Sequence, residues 1–213
     1  MKNWDEVIKE KLKTEKYVKF GKWINKKYEE GIIFPDKEYM LRCFKETPLE
    51  TVKVVIVGKE PYYYENQANG LAFGTNLDIL PKNLQLIKES YQFNNFEPTL
   101  QYLANQGVLL LNAALTVEKA KEDKKVSSHL VYWHDFTKHI ITTLCEEHKF
   151  LVYVFIGDAA YGFAKYVDYK ENFIIKTVHP SHSAITKEIW PHGHIFSKIN
   201  SYLKNKKIKQ IQW

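Results

Sequence analysis

Four short apolar runs constrain this chain more than any other feature. They are VKVVIVG (52–58), GVLLLNAALTV (107–117), FLVYVFIG (150–157) and NFIIKTVHPS (172–181). The hydrophobicity of each is nearly continuous rather than alternating, which is the pattern of a strand covered on both faces, as in a parallel sheet. Helical periodicity falls between and around them, over 83–92, 99–106, 131–149 and 194–206. Ahead of the first run, amphipathic helices are expected over 3–13 and 16–29, with a short one near 37–44. This alternation predicts an α/β protein, a three-layer α/β/α sandwich around a short four-stranded parallel sheet. No repeat or Gly/Ser/Pro-rich linker interrupts the 213 residues, so a single domain spanning 1–213 is expected.

In such sheets ligands bind beyond the carboxyl ends of the strands. The residues found there are Glu60, Asn112, Gly157 and His179. Taken singly, each has an ordinary reading. Glu60 can cap a helix, Asn112 can be a satisfied buried amide, and His179 before Pro180 can be a turn residue. Taken together, they bring a carboxylate, an amide and an imidazole from distant segments to one rim, and a functional site becomes the better reading.

Composition narrows the partners. With 45% hydrophobic residues the chain has the material for a folded core, which excludes disorder. No run approaches the ~18 apolar residues of a membrane span. The charged start MKNWDEVIKEKLK lacks a signal-peptide core, so an intracellular, cytoplasmic protein is expected. Cys43 and Cys145 give neither a disulfide framework nor a zinc spacing, and no metal or organic cofactor is expected. A formal net charge of +6 suits a polyanion. Arg42 is the sole arginine, which excludes base reading by several bidentate guanidinium groups and leaves lysines as point-charge phosphate contacts. The tail KNKKIK (204–209) reads either as such a contact or as a solvated helix end.

The same segments resemble the family 1 uracil-DNA glycosylases. The family motif G-Q-D-P-Y-H stands here as Gly58-Lys59-Glu60-Pro61-Tyr62-Tyr63, followed by QANGLAF, close to Q-A-H-G-L-(A/C)-F. GVLLLNAALTV is similar to G-V-L-L-L-N-T-x-L-T-V, and SSHLVYWHDFT to S-H-x-x-x-G-W-E-x-F-T. The motif H-P-S-P-L-S stands as His179-Pro180-Ser181-His182-Ser183-Ala184, before HIFSKINSYL. The resemblance spans nearly the whole chain. It implies a pocket for a flipped-out uracil. His179 is implied as donor to uracil O2, Asn112 as reader of the uracil edge, Tyr62 as the block to a thymine methyl and Phe73 as the stacking ring. The Lys59 backbone amide is implied as a further uracil contact.

Other family positions are changed. The water-positioning aspartate is Glu60, and the neighbouring glutamine is Lys59, so a Lys59–Glu60 ion pair is one expectation and two solvent-facing groups the other. A phosphate-holding histidine is Tyr63. The leucine that wedges into the duplex is Ser183, preceded by His182 in place of proline. Ser181 is implied as a further DNA contact. Ala184 and Gly74 replace phosphate-contacting serines, and a Pro-Pro-Ser loop stands as LPKN (80–83). Uracil recognition is thus retained in residue type while water positioning, wedge and phosphate grips differ. The resulting expectation is a weak or inactive pseudoenzyme that binds DNA, uracil or a DNA-mimic inhibitor protein. The alternative is an active glycosylase with reduced or shifted, single-strand-biased activity. A third reading is a binder of single-stranded or damaged DNA that uses Tyr62, Tyr63 and Tyr64 as stacking faces. A monomer is expected.

Overall fold

The computed structural model describes residues 2–120, 128–182 and 193–213. Its strands are β1 (Ile33–Phe34), β2 (Val54–Gly58), β3 (Val108–Asn112), β4 (Val117–Glu118), β5 (Val152–Ile156) and β6 (Phe173–Thr177). Its α-helices are α1 (Trp4–Leu12), α2 (Glu15–Glu29), α3 (Arg42–Glu46), α4 (Lys82–Glu89), α5 (Gln101–Ala104), α6 (Leu130–Glu147), α7 (Asp158–Tyr161) and α8 (His194–Asn205). Four strands form one parallel sheet in the order β3-β2-β5-β6, flanked by helices. This is the α/β architecture that the alternating pattern predicts.

The reason for the continuous apolar runs is visible in the burial. Every residue of β2, β3 and β5 is buried. Strand β6 lies at the sheet edge, and its pattern relaxes accordingly. Lys176 points outward there, with its Nζ 3.1 Å from Asp158 and 4.5 Å from the centre of the Tyr161 ring. A charge on an edge strand discourages further strand pairing. Helix α6 buries Trp133, Phe136, Ile140, Ile141 and Leu144, an apolar stripe at helical spacing. Helix α1 opens with a reciprocal cap between Asn3 and Glu6.

The structure departs from expectation in segment lengths. The run 107–117 ends its parallel pairing at Asn112, and Val117–Glu118 pairs antiparallel with Ile33–Phe34. The cause is a change of partner. The N–H groups of Ala113 and Ala114 donate to the Gly58 and Lys59 carbonyls at 2.9 Å each, which carries the chain past the end of β2. The expected helix 99–106 is only Gln101–Ala104, because Leu100 has a left-handed φ of 57° and Gly107 a φ of 87°. The run 172–181 is extended only to Thr177, which leaves His179 beyond the strand. Among the described residues no helix is long and apolar enough to cross a membrane.

Candidate active site

The strand ends build the site. Gly58 and Asn112 are partners in the β2–β3 register. A Cβ at Gly58 would lie 2.7 Å from Asn112 Oδ1 and 3.2 Å from the Phe73 ring. A side chain there would force the amide and the ring apart. At the end of β5, Gly157 takes a φ of 88°, and a Cβ there would sit 3.1 Å from the His179 Cβ. Gly157 therefore backs the histidine and does not itself face the cavity.

Beyond these ends lies a cavity of about 340 Å³, within the ~300–1,000 Å³ usual for small-molecule sites. Lys59, Glu60, Tyr62, Phe73, Asn112 and His179 line it, and Tyr63, Gly74, Asn83 and Ser181 also border it. The structure thus gathers nine of the residues named individually in the sequence: Lys59, Glu60, Tyr62, Tyr63, Phe73, Gly74, Asn112, His179 and Ser181. His182 does not line the cavity; its N–H donates to the His179 carbonyl at 2.9 Å and closes a turn. Ser183 and Ala184 lie outside the described residues.

Lys59 and Glu60 form an ion pair, with Nζ 2.8 Å from Oε1. The expectation of two solvent-facing groups does not hold, since the Glu60 side chain is 13% exposed against 44% for Lys59. Glu60 Oε2 is buried and accepts no hydrogen bond among the described residues. The His179 pKa is pushed below the ordinary histidine value, mainly by burial, further by the Lys59 charge, and against the opposing pull of Glu60. Its Nδ1 accepts from the Ser181 N–H at 3.3 Å and lies 2.8 Å from the Ser181 hydroxyl. An Nδ1 that accepts leaves the proton of the neutral ring on Nε2. His179 is therefore built as a neutral donor.

The apolar wall is held as tightly. Phe73 has a φ of 67°, a left-handed conformation that a bulky residue rarely adopts. The Tyr62 hydroxyl donates to the Phe73 carbonyl at 2.9 Å and fixes that turn. Burial raises the Tyr62 pKa, so the phenol stays protonated and keeps its donor. The Phe73 ring lies 6.1 Å from the His179 ring at 38°. Asn112 is 8% exposed, and its side-chain amide has no hydrogen-bond partner among the described residues, which leaves both ends available to a ligand. Tyr63 and Tyr64 are exposed, with ring centres 5.0 Å apart. Among the described residues no group of three or more His, Cys, Asp or Glu side chains is placed to hold a metal ion.

Two supporting residues, Arg42 and Asn69, were not singled out for these roles by sequence reasoning. The Arg42 guanidinium donates to the Asn69 carbonyl and to Gln101 Oε1 at 2.9 Å each, and contacts Glu46 at 3.3 Å. Asn69 is fully buried; its Oδ1 accepts from the Leu71 N–H and its Nδ2 donates to the Thr99 carbonyl. Together they brace the turn that carries Phe73. At Gly74 a Cβ would lie 2.7 Å from Asn69 Oδ1 and 2.8 Å from the Thr99 carbonyl. The missing serine there is therefore matched by neighbours that have closed over the position. The one available signal was the solitary arginine, which the structure spends on the protein itself.

The family model for the Uracil DNA glycosylase superfamily matches residues 44–204. The chain is 34% identical over 220 residues to the uracil-DNA glycosylase of Fusobacterium nucleatum subsp. nucleatum, covering 99% of this chain and 94% of that protein. It is also 34% identical over 219 residues to uracil-DNA glycosylase 1 of Listeria innocua serovar 6a, covering 100% and 97%. Among solved structures, mimivirus uracil-DNA glycosylase superposes with a TM-score of 0.85 at 23% identity, covering 99% of this chain and 85% of that one. A single-residue variant of mimivirus UNG in complex with UGI superposes equally well, with a TM-score of 0.85 and coverage of 99% and 87%. Sequence and fold agree: the chain belongs to the uracil-DNA glycosylase superfamily.

Proposed function

We propose that this protein hydrolyses the N-glycosidic bond of uracil in DNA, at a reduced rate and with a bias towards single strands. The observation that carries this reading is Glu60, which lines the cavity and whose buried Oε2 has no hydrogen-bond donor among the described residues. Such an oxygen is costly to bury unless water or a developing cation engages it. Opposite the sugar it would stabilise positive charge at C1′ and orient the attacking water. Asn112 would read the uracil edge, accepting from N3–H and donating to O4. Phe73 would stack on the base and Tyr62 would exclude a methyl group. His179, neutral with its proton on Nε2, would donate to the oxygen that becomes anionic as the bond breaks.

The reduced rate follows from length. Glutamate carries its carboxylate roughly 1 Å farther than aspartate would. A displacement of about 1 Å can cost on the order of 10²-fold. The strand bias follows from the rim. Tyr63 offers a phenol without charge, and Gly74 offers no side chain at all. A single strand needs no unpairing, which otherwise costs a few kcal/mol.

A second reading, binding without excision, is favoured by the Lys59 contact, which occupies the other Glu60 oxygen. A DNA-mimic inhibitor protein as partner is supported by the structural neighbour solved with UGI. The deciding experiment is uracil release from single- and double-stranded oligonucleotides, with Glu60→Gln as control. Multiple turnover, faster on single strands and lost in the variant, is expected. No release with protein in excess over substrate would overturn the catalytic reading and leave the binding one.

A further inference from the structure

Lys59 lines the cavity, yet the excision chemistry gives its side chain no task. Its Nζ lies 2.8 Å from Glu60 Oε1, its side chain is close to half exposed, and it borders the same cavity as Asn112 and His179. Its charge is felt at the His179 ring, which places the ammonium within the site and not on a remote face. A primary amine and a carboxylate within hydrogen-bond reach are a nucleophile and a proton carrier, the pair that imine chemistry with a carbonyl requires. Excision of a base leaves an abasic deoxyribose, and its ring-opened form is an aldehyde at C1′. The carboxylate proposed to face C1′ is the one that Lys59 touches, so the amine stands beside the same carbon.

We propose that Lys59 and Glu60 give this protein an abasic-site lyase activity, with Lys59 Nζ as the nucleophile towards C1′ of abasic deoxyribose in DNA. The ammonium first gives a proton to solvent. The free amine then adds to the aldehyde, forming an N–C1′ bond, and the oxygen leaves as water to give a protonated imine. Glu60 removes a proton from C2′. The electrons of that C–H bond become the C2′=C3′ double bond, and the C3′–O bond breaks with the phosphate taking its electron pair. Water hydrolyses the imine, regenerating the amine and releasing an unsaturated aldehyde. One water is lost and one consumed, and no oxidant or reductant takes part.

The inference rests on the uracil-excision reading for the position of C1′, so the test starts from an oligonucleotide that already contains an abasic site. The full chain is incubated with this labelled DNA, with and without sodium borohydride, which reduces an imine to a permanent cross-link. A protein–DNA adduct mapping to Lys59 by peptide mass spectrometry is expected, along with a strand nick when borohydride is omitted. Lys59→Arg keeps the charge without a competent nucleophile and is expected to lower both by on the order of 10²-fold or more, the lower end of what a positioned catalytic side chain contributes. The chain holds many other lysines, so an adduct that maps elsewhere, or one that survives Lys59→Arg, overturns the proposal, as does the absence of any adduct. If Lys59→Arg does not fold, as judged by its melting curve, the mapped position on the unaltered chain decides. Uracil release measured on the same preparation reports separately on excision.

Discussion

The Lys59 ammonium holds one oxygen of Glu60 at 2.8 Å while the other oxygen is buried with no hydrogen-bond donor among the described residues. The carboxylate is thus half committed and half free. Lys59→Gln releases the committed oxygen and restores the amide that the wider family carries at this position. Uracil excision from single strands is expected to rise several-fold, while Glu60→Gln is expected to lower it on the order of 10²-fold or more. Single-turnover rates check both. A Lys59→Gln variant slower than the parent would mean that the ion pair positions Glu60 for its task.

Gly74 gives a sharper test of how the rim has changed. Restoring a serine there places a Cβ 2.7 Å from Asn69 Oδ1 and 2.8 Å from the Thr99 carbonyl. Neither neighbour is free to move, because Asn69 is fully buried and bonded to Leu71 and Thr99. Overpacking of this kind costs about 1–3 kcal/mol. At a few degrees per kcal/mol for a chain of this size, the melting temperature of Gly74→Ser should fall by roughly 2–12 °C. No gain in binding to duplex DNA is expected. An unchanged melting temperature would show that the Asn69 turn yields.

The legibility of these features in the sequence follows their physics. Strands buried on both faces leave continuous apolar runs, so β2, β3 and β5 were visible, as was the convergence of Glu60 after β2, Asn112 at the end of β3 and His179 beyond β6. Segment ends were less visible, because they depend on where backbone donors find partners. The N–H groups of Ala113 and Ala114 turn to the Gly58 and Lys59 carbonyls, a tertiary event with no local pattern. The choice between a paired and a solvent-facing Glu60 was open for the same reason. Adjacent residues with flexible side chains fit either case until the cavity wall buries one of them. The Arg42 and Asn69 brace was hidden, although the solitary arginine stood out, because the partners that define it lie far along the chain: Asn69 and Gln101 for Arg42, and Thr99 for Asn69.

The Tyr62 hydroxyl and the Phe73 carbonyl form a second pair whose removal has a definite sign. Phe73 is held at a φ of 67°, and the 2.9 Å bond from Tyr62 opposes its relaxation. Tyr62→Phe keeps the ring that blocks a methyl group and removes only the donor. A loss of about 1 kcal/mol in stability is expected, with weaker uracil binding as the stacking ring loosens. Discrimination against thymine should persist. Calorimetric titration with free uracil, alongside competition by thymine, checks both parts; equal binding of the two bases by Tyr62→Phe would assign the exclusion to the hydroxyl instead.

Among the described residues, three histidines dominate the response to acid. Burial lowers the pKa of His129, His148 and His179, in each case against an opposing acidic neighbour: Glu118 and Glu60 for His129, Glu147 and Glu50 for His148, and Glu60 for His179. A histidine depressed in the fold binds its proton more readily once the chain is unfolded. As the pH falls through the ordinary histidine value of about 6.5, the unfolded state takes up protons that the folded state refuses, and stability declines. The decline continues until the folded-state values are reached. Asp135 is also depressed, mainly by its hydrogen bond from Lys16, but its contribution disappears only below about pH 4. The window between about pH 6.5 and 5 therefore belongs to the histidines. Melting temperatures should be level from pH 8 to 7 and fall steadily towards pH 5. Because His179 stays neutral into the same window, single-turnover excision should lose its acid limb at a lower pH than an ordinary histidine would give. A melting temperature that rises on acidification, or an excision rate already falling at pH 7, would contradict the neutral, Nε2-protonated His179.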